Sequence, residues 1–129
     1  MVVHIRDEVI PGHLSPADSV FVPNAITTAR ELIRSRVQQK VERHNQSLPE
    51  VFCGLVQPEE SERILNGFRM KVRRPLDWNR QFEKACAGFQ RNGFLLIVDG
   101  SQIAELDEPI LLRSDSEIQF VKLVPLIGG

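Results

Sequence analysis

Residues 93–129 read GFLLIVDGSQIAELDEPILLRSDSEIQFVKLVPLIGG, and the fold turns on how this stretch divides. Phe94 to Val98 is a continuous apolar run of strand length, the pattern of a strand covered on both faces. Asp99-Gly100 is a turn signal, because both residues tolerate positive φ. SQIAEL then reads as a short strand, DEPILL as an extended segment, Ser114-Asp115 as a second turn and EIQFVKLV as the final strand. That strand runs straight into Pro125, Leu126, Ile127, Gly128 and Gly129. A terminus is ordinarily polar and frayed; this one is apolar, then small. With glycine at ~7% of residues, two terminal glycines arise by chance about once in 200, so the pair is suggestive and needs a physical reason. Without a Cβ, Gly128 and Gly129 can thread a passage too narrow for side chains. Pro125 restricts the backbone before them, which lowers the entropy lost when a partner groove grips an extended segment. Val124, Pro125, Leu126 and Ile127 are therefore the candidate groove-binding tail, expected to be flexible, and Gly128 and Gly129 the candidate reactive end. The plain alternative is a strand that stops inside the sheet, with the glycines as a remnant.

Upstream, VVHIRDEVI alternates, with Val3, Ile5 and Val9 on one face and His4, Arg6 and Glu8 on the other, as in a half-buried strand. PGHLSPAD is loop chemistry and SVFVP a second strand, so the two predict a hairpin. TTARELIRSRVQQKVERHN predicts a long helix. Thr28 and Glu31 fit a capping box, Ala29, Leu32, Ile33, Val37 and Val41 form its apolar stripe, and Asn45 suits a left-handed stop. Arg30, Arg34, Arg36, Lys40 and Arg43 then fall on its outer face beside Glu31 and Glu42, which reads as solvated, with partner or nucleic-acid docking as the sharper option.

The middle of the chain predicts three further elements. QPEESERILNG reads as a short helix, with Pro58 in its first turn, Glu59 and Glu60 at the positive end of its dipole and Asn66-Gly67 as its end. FRMKVRRP sets Phe68, Met70 and Val72 against Arg69, Lys71 and Arg73, a strand whose basic outer face suits a sheet edge. DWNRQFEKACAGFQRNG is a second helix, capped by Asp77, buried through Trp78, Phe82, Ala85, Cys86 and Phe89, and closed by Asn92-Gly93.

At 129 residues the chain is the size of one domain, and 42% hydrophobic with 26% charged residues is a globular composition. A formal net charge of -1 argues against nucleic acid as the main partner. Cys53 and Cys86 make no CxxC, and His4, His13 and His44 show no zinc-ligand spacing, so no metal is expected and both cysteines read as buried reduced thiols. No apolar run approaches the ~20 residues of a membrane span, and the N-terminus lacks a basic region followed by a long apolar one; the expectation is a cytoplasmic protein. GxGxxG, the P-loop, GxSxG and HExxH are all absent, so no catalytic residues are assigned and an enzyme is not expected.

The order strand, Asp99-Gly100 turn, short strand, loop, turn and last strand running into LVPLIGG resembles the β-grasp superfamily of ubiquitin and the sulfur carriers. The likeness covers residues 1–45, as hairpin then long helix, and residues 93–129. It implies an α+β fold, a mixed sheet packed on a helix, as a single domain over residues 1–129 with residues 46–92 inserted. It further implies a carrier or modifier. An E1-like adenylating enzyme, using its own ATP and Mg²⁺, would activate the Gly129 carboxylate with Gly128 as its leash; the carrier itself binds no cofactor. An E2-like enzyme, an isopeptidase and a target protein are further partners of that kind. A ubiquitin-like modifier, a sulfur carrier ending in a thiocarboxylate, and an interaction module using Arg69, Lys71, Arg73 and the helix arginines all remain open at this point.

Overall fold

In the computed structural model, which describes residues 1–10, 13–65 and 67–123, the alternating N-terminal segment is strand β1, Val2–Ile10. Val3, Ile5, Asp7 and Val9 all point inward and are buried, as a period of two requires. β2, His13–Leu14, and β3, Asp18–Phe21, both pair antiparallel with β1, one along each half, so the expected hairpin has a broken return strand. β4, Ile26–Thr28, leads into helix α1, Ala29–Ser47. Three short strands follow, β5 (Val51–Phe52), β6 (Ser61–Ile64) and β7 (Gly67–Met70), and then helix α2, Trp78–Gln90. The last third holds β8 (Phe94–Val98), β9 (Ser101–Ile103), β10 (Pro109–Leu111) and β11 (Glu117–Leu123).

The main sheet runs β2 and β3, then β1, β11, β8 and β9. β11 lies parallel to β1, with Ile5 opposite Ile118, and antiparallel to β8, with Phe120 opposite Leu96. The fold is therefore α+β with a mixed sheet. Inward side chains of the sheet (Val3, Ile5, Leu96, Val98, Ile118 and Phe120) share one core with the α1 stripe and with Ala85, Cys86 and Phe89 of α2. β8 and β9 are joined by Asp99 (φ +49°) and Gly100 (φ +81°), with Val98 opposite Ser101. Two left-handed residues give the turn whose twist matches that of the strands, which is why the Asp-Gly pair is needed here. The Asp99 carboxylate also accepts from Glu117 N–H and Ser116 Oγ, both at 2.9 Å, tying the turn to the start of β11.

The helix caps follow the sequence in part. Thr28 Oγ1 accepts from Glu31 N–H at 3.2 Å, and Asp77 accepts from Asn79 N–H at 2.9 Å. Asn45 does not end α1. Its amide is occupied instead, with Nδ2 donating to Leu76 O (3.0 Å) and Oδ1 accepting from Leu76 N–H (2.8 Å), and the left-handed cap falls at Leu48, φ +46°.

Four further expectations are corrected. The segment around Ser61–Ile64 is a strand, not a helix, because it pairs antiparallel with β7; of its expected end signal, Asn66 lies outside the described residues and Gly67 opens β7. β7 is no edge strand: it lies between β5 and β6, and it stops at Met70, leaving Val72 exposed. Cys53 is exposed, since Phe52 takes the inward position of β5, whereas Cys86 is buried as expected. Arg36 does not face solvent. It is 1% exposed, drawn inward by Asp7.

Candidate functional site

The predicted tail, Val124, Pro125, Leu126, Ile127, Gly128 and Gly129, lies outside the described residues. What is described is the strand that delivers it. β11 is flanked on both sides, by β1 and β8, and its last residue, Leu123, sits opposite Ile10. Alternation along β11 turns Gln119, Val121 and Leu123 away from the helices. Register places Val121 between Glu8 and Leu95, Gln119 beside Ile97, and Leu14 opposite Glu8. Ile10, Leu14 and Leu123 are each about half exposed on this outer face. Three half-exposed aliphatic side chains thus lie near the end of the last described strand, with Glu8 beside Leu14.

On the inner side of the same strand end lies a cluster of charges. Asp7, 3% exposed, accepts from Arg36 Nε at 3.3 Å and Nη2 at 2.9 Å, and its Oδ2 lies 2.9 Å from Lys40 Nζ. Arg36 Nη1 donates to Asp18 Oδ2 (2.8 Å) and to Gln39 Oε1 (2.5 Å), and Asp18 also takes Arg43 at 2.5 and 3.1 Å. Burial alone would raise the Asp7 carboxyl, but Arg36 and Lys40 outweigh it and hold the group below its ordinary range. The hydrogen bond from Arg43 does most to hold the Asp18 carboxyl far below that range.

Lys122 comes from β11 and points inward after Ile118 and Phe120. Its Nζ donates to Gly54 O at 2.5 Å and stands 5.7 Å from the centre of the Phe68 ring. Burial pushes its pKa down. Gly54 packs under the Phe52 ring, where a Cβ would lie 2.1 Å from a ring carbon. Lys122 forms a wall between two cavities. One, about 410 Å³, is lined by the charged cluster with Ser15 and Cys53. The other, about 420 Å³, is lined by apolar residues including Leu55, Ile64, Phe94 and Leu123, with Arg63, Lys84 and Arg91 among them.

The basic faces read from the sequence do not assemble into one surface. Arg36 and Lys40 turn into the cluster just described. Arg30 pairs with Asp107 at 2.9 Å, Arg34 lies over the Phe82 ring, and Arg69 faces Glu50 at 3.6 Å. Arg69, Lys71 and Arg73 are exposed. Among the described residues no group of three or more His, Cys, Asp or Glu side chains could hold a metal ion, and no helix is long and apolar enough to cross a membrane. Asp7 and the inward Lys122 are the positions that sequence reasoning missed. Asp7 was nonetheless visible as a charge at an inward position of a strictly alternating strand. No known protein family, curated protein or solved structure matches the chain.

Proposed function

We propose that this chain is a β-grasp protein acting as a ubiquitin-like modifier, its Gly129 carboxylate activated by an E1-like adenylating enzyme. The observation that carries the reading is the place of β11. The last described strand is central, parallel to β1 and antiparallel to β8, and does not lie at a sheet edge. The hairpin of β1 with its broken return strand, the following helix α1 and the β8–β9 hairpin agree with the β-grasp order. Residues 46–92, as a three-stranded sheet and α2, then form the insertion. The half-exposed Ile10, Leu14 and Leu123 near the end of β11 offer an activating partner apolar side chains to hold while it takes up the tail.

In this reading a carboxylate oxygen of Gly129 attacks the α-phosphorus of the partner's ATP and pyrophosphate leaves, giving an acyl-adenylate. A partner cysteine thiolate then displaces AMP as a thioester, and a target lysine amine displaces the thiol to give an amide. No side chain of this protein takes part in the bond changes. Its own contribution is to present a slender, apolar end from a rigid strand.

The test is mass spectrometry of conjugates from cells expressing an N-terminally tagged chain. Trypsin cuts after Lys122, so a modified target lysine carries the branch LVPLIGG, and deleting Gly128 and Gly129 abolishes it. An oxygen-to-sulfur exchange at Gly129 with no branched peptide replaces this reading by the sulfur carrier. Neither product, together with full biological activity of the deletion, overturns both.

A further inference from the structure

The charge cluster beneath the end of β11 is not balanced. It holds four cationic side chains, Arg36, Lys40, Arg43 and Lys122, against two carboxylates, Asp7 and Asp18. Both carboxylates are fully engaged. Asp7 takes Arg36 on both oxygens and Lys40 on Oδ2; Asp18 takes Arg36 and Arg43 on Oδ2, and Arg43 with Ser19 N–H on Oδ1. Lys122 has no carboxylate within salt-bridge distance among the described residues. Its one hydrogen bond to a described residue goes to a neutral carbonyl. An ammonium taken out of water without a directly paired carboxylate is unfavourable by several kcal/mol; Asp7 attracts Lys122 from beyond salt-bridge distance, but Lys40 and Arg36, which already hold Asp7, repel it, and burial outweighs the attraction. Even with Lys122 deprotonated, cations exceed carboxylates by one.

We propose that the cavity bounded by β1, β11 and the second half of α1 is a binding site for a small oxyanion, a phosphate or carboxylate group, held by Lys122 and Lys40 with Arg43 at the mouth. Each lysine brings three donors. Lys40 has one carboxylate partner and Lys122 one carbonyl, so donors remain on both for an anion between them. A volume of about 410 Å³ exceeds the ~30 Å³ share of a single water many times over, leaving room for the anion and part of the molecule bearing it. The sign of the surplus excludes a cation, and the charged lining disfavours an apolar ligand. Cys53 lines the cavity as well, which brings a thiol beside the proposed anion. The site draws on β1, α1, β11 and the loop after β5, so it exists only once the inserted segment has closed over the strand end. It does not depend on activation of Gly129.

The experiment is a titration of the full chain with inorganic phosphate at constant ionic strength against chloride, followed by the backbone amide resonances of Lys122, Ser15 and Cys53. A parallel arm uses acetate and glycylglycine. Saturable shifts confined to the cavity are expected in at least one arm, and the arm that saturates names the source of the oxyanion. Lys122→Met keeps the apolar stem and removes the ammonium; it should weaken binding by about tenfold or more, the loss of one charge-assisted hydrogen bond. Lys40→Met serves as the second variant should Lys122→Met fail to fold. Arg91→Gln, in the neighbouring cavity, should bind as the parent does. Shifts that are linear, or matched by chloride, or unchanged in both lysine variants overturn the proposal.

Discussion

Replacing Arg36 by methionine isolates the buried charge network. Arg36 is 1% exposed and gives four hydrogen bonds to Asp7, Asp18 and Gln39. Methionine fills the stem but leaves Asp7, itself 3% exposed, with Lys40 as its one ion-pair partner among the described residues. Removing one partner of a buried pair destabilises by about 3–5 kcal/mol, because the remaining charge stays desolvated. Each kcal/mol shifts the melting midpoint of a domain this size by roughly 3–5 °C, interpolated between smaller and larger domains, so a fall of about 10–25 °C is expected. Asp7→Leu with Arg36→Met removes the orphaned charge as well. Asp18 keeps Arg43, and Lys40 can extend toward solvent, so the double variant should be more stable than Arg36→Met alone. Urea unfolding at pH 7, followed by circular dichroism, measures both. The Asp7 carboxyl is held below its ordinary range, so its contribution is complete above the unfolded value of ~3.9 and fades as pH falls through the folded one. Without Arg36 the burial of Asp7 is less compensated and its carboxyl rises, so the gap between parent and Arg36→Met should be full at neutral pH and narrow as acid protonates the variant's Asp7, which happens at higher pH than in the parent. A loss under about 1 kcal/mol at pH 7, or a double variant as unstable as the two singles combined, would refute the buried-network argument.

Three further outcomes are expected. His44 is buried, neither ring nitrogen has a partner among the described residues, and burial lowers its pKa; the fold holds it neutral, so stability is complete above about pH 6.5 and declines as pH falls from there. His44→Leu should flatten that decline in a series of melting curves without loss at pH 7, and an unchanged slope would contradict it. Asp99→Gly keeps the left-handed turn but deletes the two bonds to Ser116 and Glu117; a loss of about 1–3 kcal/mol in urea unfolding is expected, and no loss would show the turn to be held by its backbone alone. The chain has four lysines, Lys40, Lys71, Lys84 and Lys122. Lys40 and Lys122 are engaged in the cluster and Lys84 is half-buried, leaving Lys71 exposed; any self-conjugation through Gly129 should produce a ladder on immunoblots that Lys71→Arg removes, and its persistence would reject that acceptor.

The elements legible from sequence are those whose signal is local and repeated. β1 shows four inward positions at a period of two. α1 carries five apolar residues at helical spacing, all of them buried, and α2 carries its stripe behind an aspartate cap. The Asp99-Gly100 turn specifies its hairpin by backbone conformation alone. Ser61–Ile64 failed for the opposite reason. Its residues are half-buried or exposed, so no face declares itself, and Pro58, Glu59 and Glu60 imitate a helix start. What decides it is pairing with β7, a contact that no propensity of its own residues encodes. The place of residues 46–92 in the fold could not be read at all, since it depends on where a three-stranded sheet docks, and that is set by Phe52, Leu55, Phe68 and Met70 meeting the common core.

The misread charges carry a different lesson. Asp7 breaks the apolar series Val3, Ile5, Val9 at an inward position, and Arg36 sits four residues after Leu32 and three after Ile33, on the flank of the α1 stripe. Either charge alone reads as an accident of the pattern; together, with opposite signs on two elements that must pack, each predicts the other, because a buried carboxylate needs a cation. Lys122 adds a third element to the same cluster. It also bears on strand register. A one-residue slip of β11 against β1 would turn Lys122 to the open face and bring Val121 and Leu123 inward. The slip would also expose Ile118 and Phe120, which are 1% and 0% exposed, and bury Glu117 and Gln119, so apolar burial opposes it strongly. The inward lysine adds to that preference, because the same slip would take Lys122 away from the cluster of Asp7, Asp18 and Arg36.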